Sequence, residues 1–500
     1  MKFKKNIFKV IISLAILLLI SLAFCSSISA ATWQVKSSDG GGGMGNNEYI
    51  QNIITNKASK GDTIIFKDAS YNHIHLTIDK PLNIVSNSGT KIYTCPQEIA
   101  NGSDERVPFV VTNKGSGTKI TGLNIINYHD NGYGILINSA SNINVENNSI
   151  ESKGSGIKIL KSSNANLKNN TIKGAKIGIN VLNSKNLKIR NNKVYGNRFG
   201  VECSGTNNNV EIASNTISKN RVYGIILQGN GSSNIGFLIR NNNINKNKDS
   251  SSKTFDAGIC INGTFSKLNI SSNMITENGK YGIYLTETAS RTNRPIIEYN
   301  YLAFNMNIKN DDGYDNREIV WLRSFEKDAR HPFKIGYNFY GKERSFASLC
   351  ASTKTGIILW DFRKTNTKGV YEVYYKKIDD NGKYKGIAKP IISHKLKVYL
   401  NYETSKQVVK NAVVKNGIAK VDFRTSTFKT SANKLYLYNV VEKTFSIKNS
   451  EIPKKPKNKR WLIVFNSINI MIYMNEDFVL NPDEIFESSK LNVFMFFFFF

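Results

Sequence analysis

Val145-Glu146-Asn147-Asn148-Ser149-Ile150, Leu167-Lys168-Asn169-Asn170-Thr171-Ile172 and Ile189-Arg190-Asn191-Asn192-Lys193-Val194 are copies of one pattern. Each has an apolar residue, a spacer, a polar pair ending in Asn, a second spacer and another apolar residue. The pattern continues at Ile212 to Ile217, Ile239 to Ile244, Ile270 to Ile275 and Ile297 to Leu302. Its second polar position falls on Asn148, Asn170, Asn192, Asn215, Asn242, Asn273 and Asn300, in steps of 22, 22, 23, 27, 31 and 27. A second marker, Gly followed by alternating apolar residues, recurs at Gly134-Ile135, Gly156-Ile157, Gly178-Ile179, Gly200-Val201, Gly224-Ile225, Gly258-Ile259 and Gly282-Ile283. Both markers lengthen together between Asn242 and Asn273, which places an insertion at Asn245 to Asp256 in a repeat that keeps its phase.

A period near 22 residues with alternating strands is one coil of a parallel β-helix. Each strand pairs with its copy about 4.8 Å along the axis, and a column of Asn can bond Asn above and below. A leucine-rich solenoid would need several Leu and a helical segment per repeat, and neither appears. The expected fold is all-β: a right-handed parallel β-helix over 62–345, with the seven Asn positions stacked as a ladder. The recurring Gly is expected to supply turn conformations.

Outward from the coils, Tyr49, Ile50, Ile53 and Ile54 have helical spacing, and 32–61 is expected to be a lead-in with a capping helix over the exposed strand edges. Phe333 to Gly341 reads as a closing coil with an aromatic cap. Longer alternating strands with turn signals follow, and 356–448 is expected to be a smaller Ig-like β-sandwich. The 449–500 segment begins as a basic Pro-Lys linker and ends in Phe496 to Phe500, a homopolymer without structural logic that suggests a non-native or disordered tail and a lost anchor.

The amino terminus sets the compartment. Lys2, Lys4, Lys5 and Lys9 precede an apolar run from Val10 to Phe24, and Ser29 and Ala31 fit the −3 and −1 positions of a cleavage site before Thr32. Residues 1–31 therefore read as a signal peptide, and the protein as extracellular or on the envelope surface. Cys25, Cys95, Cys203, Cys260 and Cys350 show neither a disulfide framework nor a zinc pattern.

The chain carries 68 Lys and Arg against 38 Asp and Glu, a formal charge of +30. Such a balance draws an exported protein toward acidic polysaccharide, cell-wall polymer or the surface glycans of other cells. No nucleic-acid motif accompanies the charge, and a membrane would enter only through the lost anchor. Lys168, Arg190 and Arg240 should face outward from one strand column. With Lys246, Lys248 and Lys253 of the insertion they form the expected ligand-binding set, the alternative being a solvated face. Tyr133, Phe199, Tyr223 and Tyr281 share the position before Gly and are expected to form an internal aromatic ladder. Among the sequons, Asn101 and Asn230 are the glycosylation candidates, while Asn147 and Asn169 lie in the repeated pair and are expected to be unavailable.

The Asn-paired coils, the Tyr-Gly-Ile strands, the start at Gly61-Asp62-Thr63-Ile64 and the close at Tyr337-Asn338-Phe339-Tyr340-Gly341 resemble a known group. They are similar to adhesin-like surface proteins of methanogenic archaea, whose pectin-lyase-like β-helix is joined to Ig-like repeats. The resemblance covers roughly 32 to 450, and implies an envelope adhesin without specifying a ligand. The related fold also houses pectate lyases and sugar hydrolases, so catalysis has to be tested on the residues.

A calcium-dependent lyase needs several carboxylates on adjacent coils, and a hydrolase two carboxyls within about 5 to 10 Å. The outward column Leu136, Lys158, Asn180, Glu202, Ile226, Cys260, Tyr284 holds one acid. The column Glu146, Lys168, Arg190, Ala213, Arg240, Ser271, Glu298 holds two, six coils apart, or roughly 29 Å. No catalytic residue, metal site or cofactor is assigned. The expected function is carbohydrate or envelope-polymer binding by a rigid rod. A polysaccharide lyase or glycosidase, and a purely structural envelope component, are the alternatives.

Overall fold

In the computed structural model the described residues are 30–94, 106–248, 256–286, 296–303, 305, 318–321, 334–340, 356–367, 369–379, 381–400 and 408–424, with short strands at 435–439, 446–449, 459–462 and 472–475. The signal-peptide residues up to 29, Asn101, Lys253 and most of the insertion lie outside them.

The coils form a right-handed parallel β-helix whose wall is three parallel sheets. The long sheet stacks Tyr133–Asn138, Ser155–Leu160, Ile177–Leu182 and Phe199–Gly205, then continues through Tyr223–Arg240, Ala257–Ser266 and Tyr281–Leu285. A second sheet stacks Asn144–Glu146, Asn166–Lys168, Lys185–Arg190 and Asn208–Ala213. The third stacks Ser149–Ser152, Thr171–Lys173, Lys193–Tyr195 and Thr216–Ser218. Alternate residues point inward and fill the bore, where Ile135, Ile157, Ile179, Val201 and Ile225 are fully buried. The first coil begins earlier than the expected boundary at 62, because Thr32–Val35 already pairs in parallel with Thr63–Phe66. Between them Gly43–Asn52 is helical and continues into a wide turn at Ile53–Lys57, burying Ile50, Ile53 and Ile54 over the end of the bore. Among the described residues no helix is long and apolar enough to cross a membrane.

The polar pair at the second-to-third-sheet corner divides its labour. Its first member turns the chain: Asn147, Asn169, Asn191, Ser214, Asn241, Ser272 and Tyr299 all have φ between 55 and 58°, a left-handed conformation that Asn tolerates better than most residues. Its second member points inward. The Nδ2 of Asn148 donates to Oδ1 of Asn170 at 3.0 Å, and the same bond runs on through Asn192, Asn215, Asn242, Asn273 and Asn300 to Asn338. Each of these Oδ1 atoms from Asn170 onward also accepts the backbone N–H of the ladder Asn one coil earlier, as Asn192 does from Asn170. Each Nδ2 also reaches a strand carbonyl, as Asn192 does to Leu167 at 2.9 Å. A buried amide costs little only when its donors and acceptor are used, and here they are.

A parallel ladder stands five residues further on at the corner between the third and long sheets. Asn197, Asn220, Asn247, Asn278 and Asn305 are linked Nδ2 to Oδ1, ending on Glu318. Close packing against the carbonyl of the next coil, joined from Gly178 on by this second column, explains the recurring Gly better than turn conformation does. Gly134, Gly156, Gly178, Gly200, Gly224, Gly258 and Gly282 do not have positive φ. A Cβ on Gly178 would lie 2.6 Å from the Gly200 carbonyl oxygen and 3.0 Å from Asn197 Nδ2. Close approach, not backbone freedom, requires glycine there.

The rod does not end at a free boundary. Asn338–Tyr340 pairs with Tyr301–Ala303 on one side and with Ile357–Lys364 on the other. Ile357–Lys364 then pairs antiparallel with Val370–Ile378, which also pairs with Ile418–Asp422. A second antiparallel sheet holds Val408–Val414, His394–Leu400, Leu435–Asn439 and Ser446–Asn449. Tyr301 and Phe339 of the last coils share one apolar core with Trp360, Tyr375, Leu396 and Phe423. The carboxy-terminal sheets are thus continuous with the coils. Within the stretch expected as linker and tail, Lys459–Leu462 and Ile472–Asn475 pair antiparallel.

Asn192→Ala removes the donor to Leu167 and Asn215 and the acceptor of Asn170, leaving buried partners unpaired. It is expected to cost about 2 to 4 kcal/mol, read as a lower urea midpoint. At the junction, His394 is 6 % exposed. Its Nδ1–H donates to the Ile392 carbonyl at 2.8 Å, so its Nε2 accepts from the Tyr375 hydroxyl at 2.7 Å. Burial pushes its pKa from 6.5 down to about 4. A lowered imidazole pKa favours the neutral form in the fold, so this contribution is intact above pH 6.5 and fades as pH falls toward 4. Roughly 3 kcal/mol is at stake, and a melting series from pH 7.5 to 4.5 should lose its acid limb in His394→Gln.

Candidate functional site

The second sheet carries the candidate groove. Its strands are short, and at or just before their starts Asn142, Asn164, Asn186 and Asn209 take left-handed conformations with φ from 53 to 58°. Their side chains therefore project at the rim. Amides join along the axis there as well: Asn164 donates to Asn142 at 3.2 Å, Asn166 to Asn144 at 3.2 Å, and Asn209 to Asn186 at 2.9 Å. The result is a groove of about 810 Å³ lined by Asn144, Asn164, Asn166, Asn186, Asn191 and Asn209 together with Lys168, Lys188, Arg190 and Glu211. It crosses four successive coils, about 14 Å of axis at the sheet spacing.

The register of the expected basic column is Glu146, Lys168, Arg190, Ala213, Arg240, Ser271 and Glu298 as Cα partners. Lys168 and Arg190 enter the groove. Arg190 and Arg240 are not a free positive stripe, however, because both bind Glu211. Ala213 stands between them in the column, and its small side chain lets the two guanidinium groups close over the Glu211 carboxylate. Burial pushes that carboxyl's pKa up, but hydrogen bonds from Arg190 and Arg240 outweigh it and hold it below the usual range. Arg190 Nε is buried without an acceptor. Among the described residues Lys168 and Lys188 make no ion pair. The insertion lysines fall elsewhere: Lys246 sits past the third sheet and pairs with Glu277 at 3.6 Å, and neither it nor Lys248 lines the groove.

Glu211 was visible in the sequence only to a reading of the neighbouring column. Residues two apart on a strand share a face, and the column two before the basic one holds Lys188 opposite Glu211.

The outer face of the long sheet is different in kind. Leu136, Lys158, Asn180, Glu202, Ile226, Cys260 and Tyr284 are stacked as expected. The aromatic residues before Gly are not an internal ladder. Tyr133 takes the hydroxyl-directed bond of the outward Lys158, and Phe199, Tyr223 and Tyr281 join Ile226, Cys260 and Tyr284 in a cluster separate from the bore. The Phe199 and Tyr223 rings stack at 5.8 Å, and Tyr281 and Tyr284 are 2 % and 5 % exposed. Rings as buried as Tyr281 and Tyr284 offer no platform to a sugar, whereas Tyr133, Phe199 and Tyr223 keep part of their surface exposed. Glu202 accepts from Gln228 Nε2 at 3.1 Å, and burial raises its pKa against the opposing charge of Arg198. Its stacked neighbours are Asn180 and Ile226, so no second carboxylate faces it in that column.

Cys203 lies in the bore and Cys260 in the outer cluster, both as free thiols. Asn147 and Asn169, expected to be unavailable, are exposed, since the turn residue faces solvent while the ladder residue does not. Asn230 lies within the strand Tyr223–Arg240.

Glu211→Gln removes the groove's carboxylate and leaves its shape. The change should cost less than about 1 kcal/mol, because both arginines are partly solvated. It should delay elution from a cation exchanger more than Asp130→Asn, which makes the same change of charge at an exposed site.

Residues 116–342 match the model of a family described as periplasmic copper-binding protein (NosD). A search of curated proteins finds no match. Among solved structures the chain is similar to PfbA, a surface adhesin of Streptococcus pneumoniae, at 11% identity over 71% of this chain and 98% of that one, with a TM-score of 0.43. It is also similar to the Dettilon tailspike protein, at 13% identity over 81% and 93% with a TM-score of 0.40, and to the periplasmic alginate epimerase AlgG, at 14% over 60% and 82% with a TM-score of 0.32. Copper would ask for a cluster of imidazole or thiol ligands. Among the described residues no three His, Cys, Asp or Glu converge on a metal position, and both described thiols are buried apart in separate clusters. The described residues do not assemble a set that fits a copper ion. Just under half of the chain, its β-helical coils, is thus similar to the NosD family.

Proposed function

We propose that the protein is an exported envelope component that binds carbohydrate or cell-wall polymer along the groove of the second sheet, in the manner of an adhesin. The observation that supports this reading is the groove itself: amides of Asn144, Asn164, Asn166, Asn186, Asn191 and Asn209 beside Lys168, Lys188, Arg190 and Glu211. Amides offer both donors and acceptors, as sugar hydroxyls require. Three cations against one carboxylate favour an acidic glycan. The groove runs across the coils with a repeat near 4.8 Å, which suits an extended polymer. The sandwich, in this reading an Ig-like spacer, holds the rod away from the surface. The archaeal resemblance and the secreted location belong to the same proposal, as do Asn101 and Asn230 as glycan attachment points.

A glycan array with purified protein tests it. Retention is expected on uronic or sulfated polymers and should weaken as salt rises. Replacing Lys168, Lys188 and Arg190 together by Ser should weaken binding about tenfold, from contacts of roughly 0.5 kcal/mol each. Turnover of polygalacturonate that a chelator abolishes would replace binding with lyase chemistry. Neither turnover nor retention would leave a structural envelope role.

A further inference from the structure

We infer that the mature chain begins at Ala31, and that Asp62 is built to receive its amino group. Asp62 is 3 % exposed and sits where the first two coils meet. Its Oδ1 accepts the Ala31 backbone N–H at 2.7 Å, and its Oδ2 accepts Trp33 Nε1–H at 3.0 Å and the Ser59 N–H at 2.9 Å. These bonds hold its carboxyl below the usual range. It therefore carries a negative charge, yet among the described residues no cation lies within ion-pair distance of it. Buried carboxylates are ordinarily paired. Lys80, the cation that acts on Asp62 from farther off, spends its ammonium on the Thr55 and Ala58 carbonyls.

The nitrogen of Ala31 is already in place to supply that charge. Hydrolysis of the Ala30–Ala31 bond by an export peptidase adds the water oxygen to the Ala30 carboxylate. The freed Ala31 amine takes up a proton, and its ammonium stays 2.7 Å from Asp62. The Ala31 carbonyl remains the acceptor of the Thr63 N–H at 2.8 Å, the first rung between the opening strands. The cut that Ser29 and Ala31 suggest, one bond later, would discard both contacts. The two readings differ by a single residue: Ala30 meets the −1 requirement of the earlier cut, while Ile28 at −3 is bulkier than Ser29.

The test is the amino-terminal peptide of protein exported with its own leader, read by mass spectrometry. A start at Ala31 is expected, and a start at Thr32 or a retained leader overturns the proposal. Three chains released from a removable fusion then probe the ion pair: free Ala31, N-acetylated Ala31 and free Thr32. The free Ala31 chain should melt highest, several degrees above the acetylated one, which keeps the N–H bond but has no charge. Asp62→Asn should erase that difference. Equal melting of the free and acetylated chains overturns the pairing, and this comparison holds even if Asp62→Asn fails to fold.

Discussion

A side-chain amide that bonds its own copy one coil away is the interaction on which the rest of this molecule depends. Stacking apolar strands alone would leave their register free to slip, since one Ile resembles another. An amide column cannot slip without stranding buried donors and acceptors. The ladder from Asn148 to Asn338, with the strand carbonyls it also bonds, fixes each coil against the next through insertions that stretch the spacing from 22 to 38 residues. Charge plays little part, because most ion pairs found here are partly solvated and individually weak.

From that constraint follow the shape and chemistry of the surface. A fixed register turns each sequence position into a column, so a choice at one position is repeated along the rod. The Gly column brings the long sheet close against the second ladder, and the turn asparagines line up at the groove's rim. Only on such a frame can Ala213 set Arg190 and Arg240 on either side of Glu211. The same continuity carries past the last coil, where the Asn338–Tyr340 strand passes its pairing to Ile357–Lys364, the first strand of the carboxy-terminal sheets. The His394–Tyr375 contact is buried at that junction.

The coils were legible in the sequence because their signal is repetition, and two markers in one phase leave little room for another fold. The second ladder was equally legible: Asn197, Asn220, Asn247 and Asn278 repeat the increments of the first, five residues on. What the sequence hid depended on contacts across columns. Nothing in the basic column reveals that Glu211, two positions back, claims both arginines. The Gly pattern reads as turn chemistry until the neighbouring carbonyl is placed 2.6 Å from a missing Cβ. The aromatic positions were assigned to the bore because large rings are ordinarily buried; they lie instead on the outside of the wall, Tyr281 buried and Tyr133, Phe199 and Tyr223 partly so.

Hydrogen exchange at the two-residue corners tests the central claim most directly. Corners of ordinary turns exchange quickly because their amides face water. Here the backbone N–H of Asn170, Asn192, Asn215 and Asn242 donates to the ladder amide of the next coil. These amides are therefore expected to be protected as strongly as those of the adjoining strands. Corner amides that exchange at loop rates while the strands stay protected would contradict the ladder as the element that holds the coils in register.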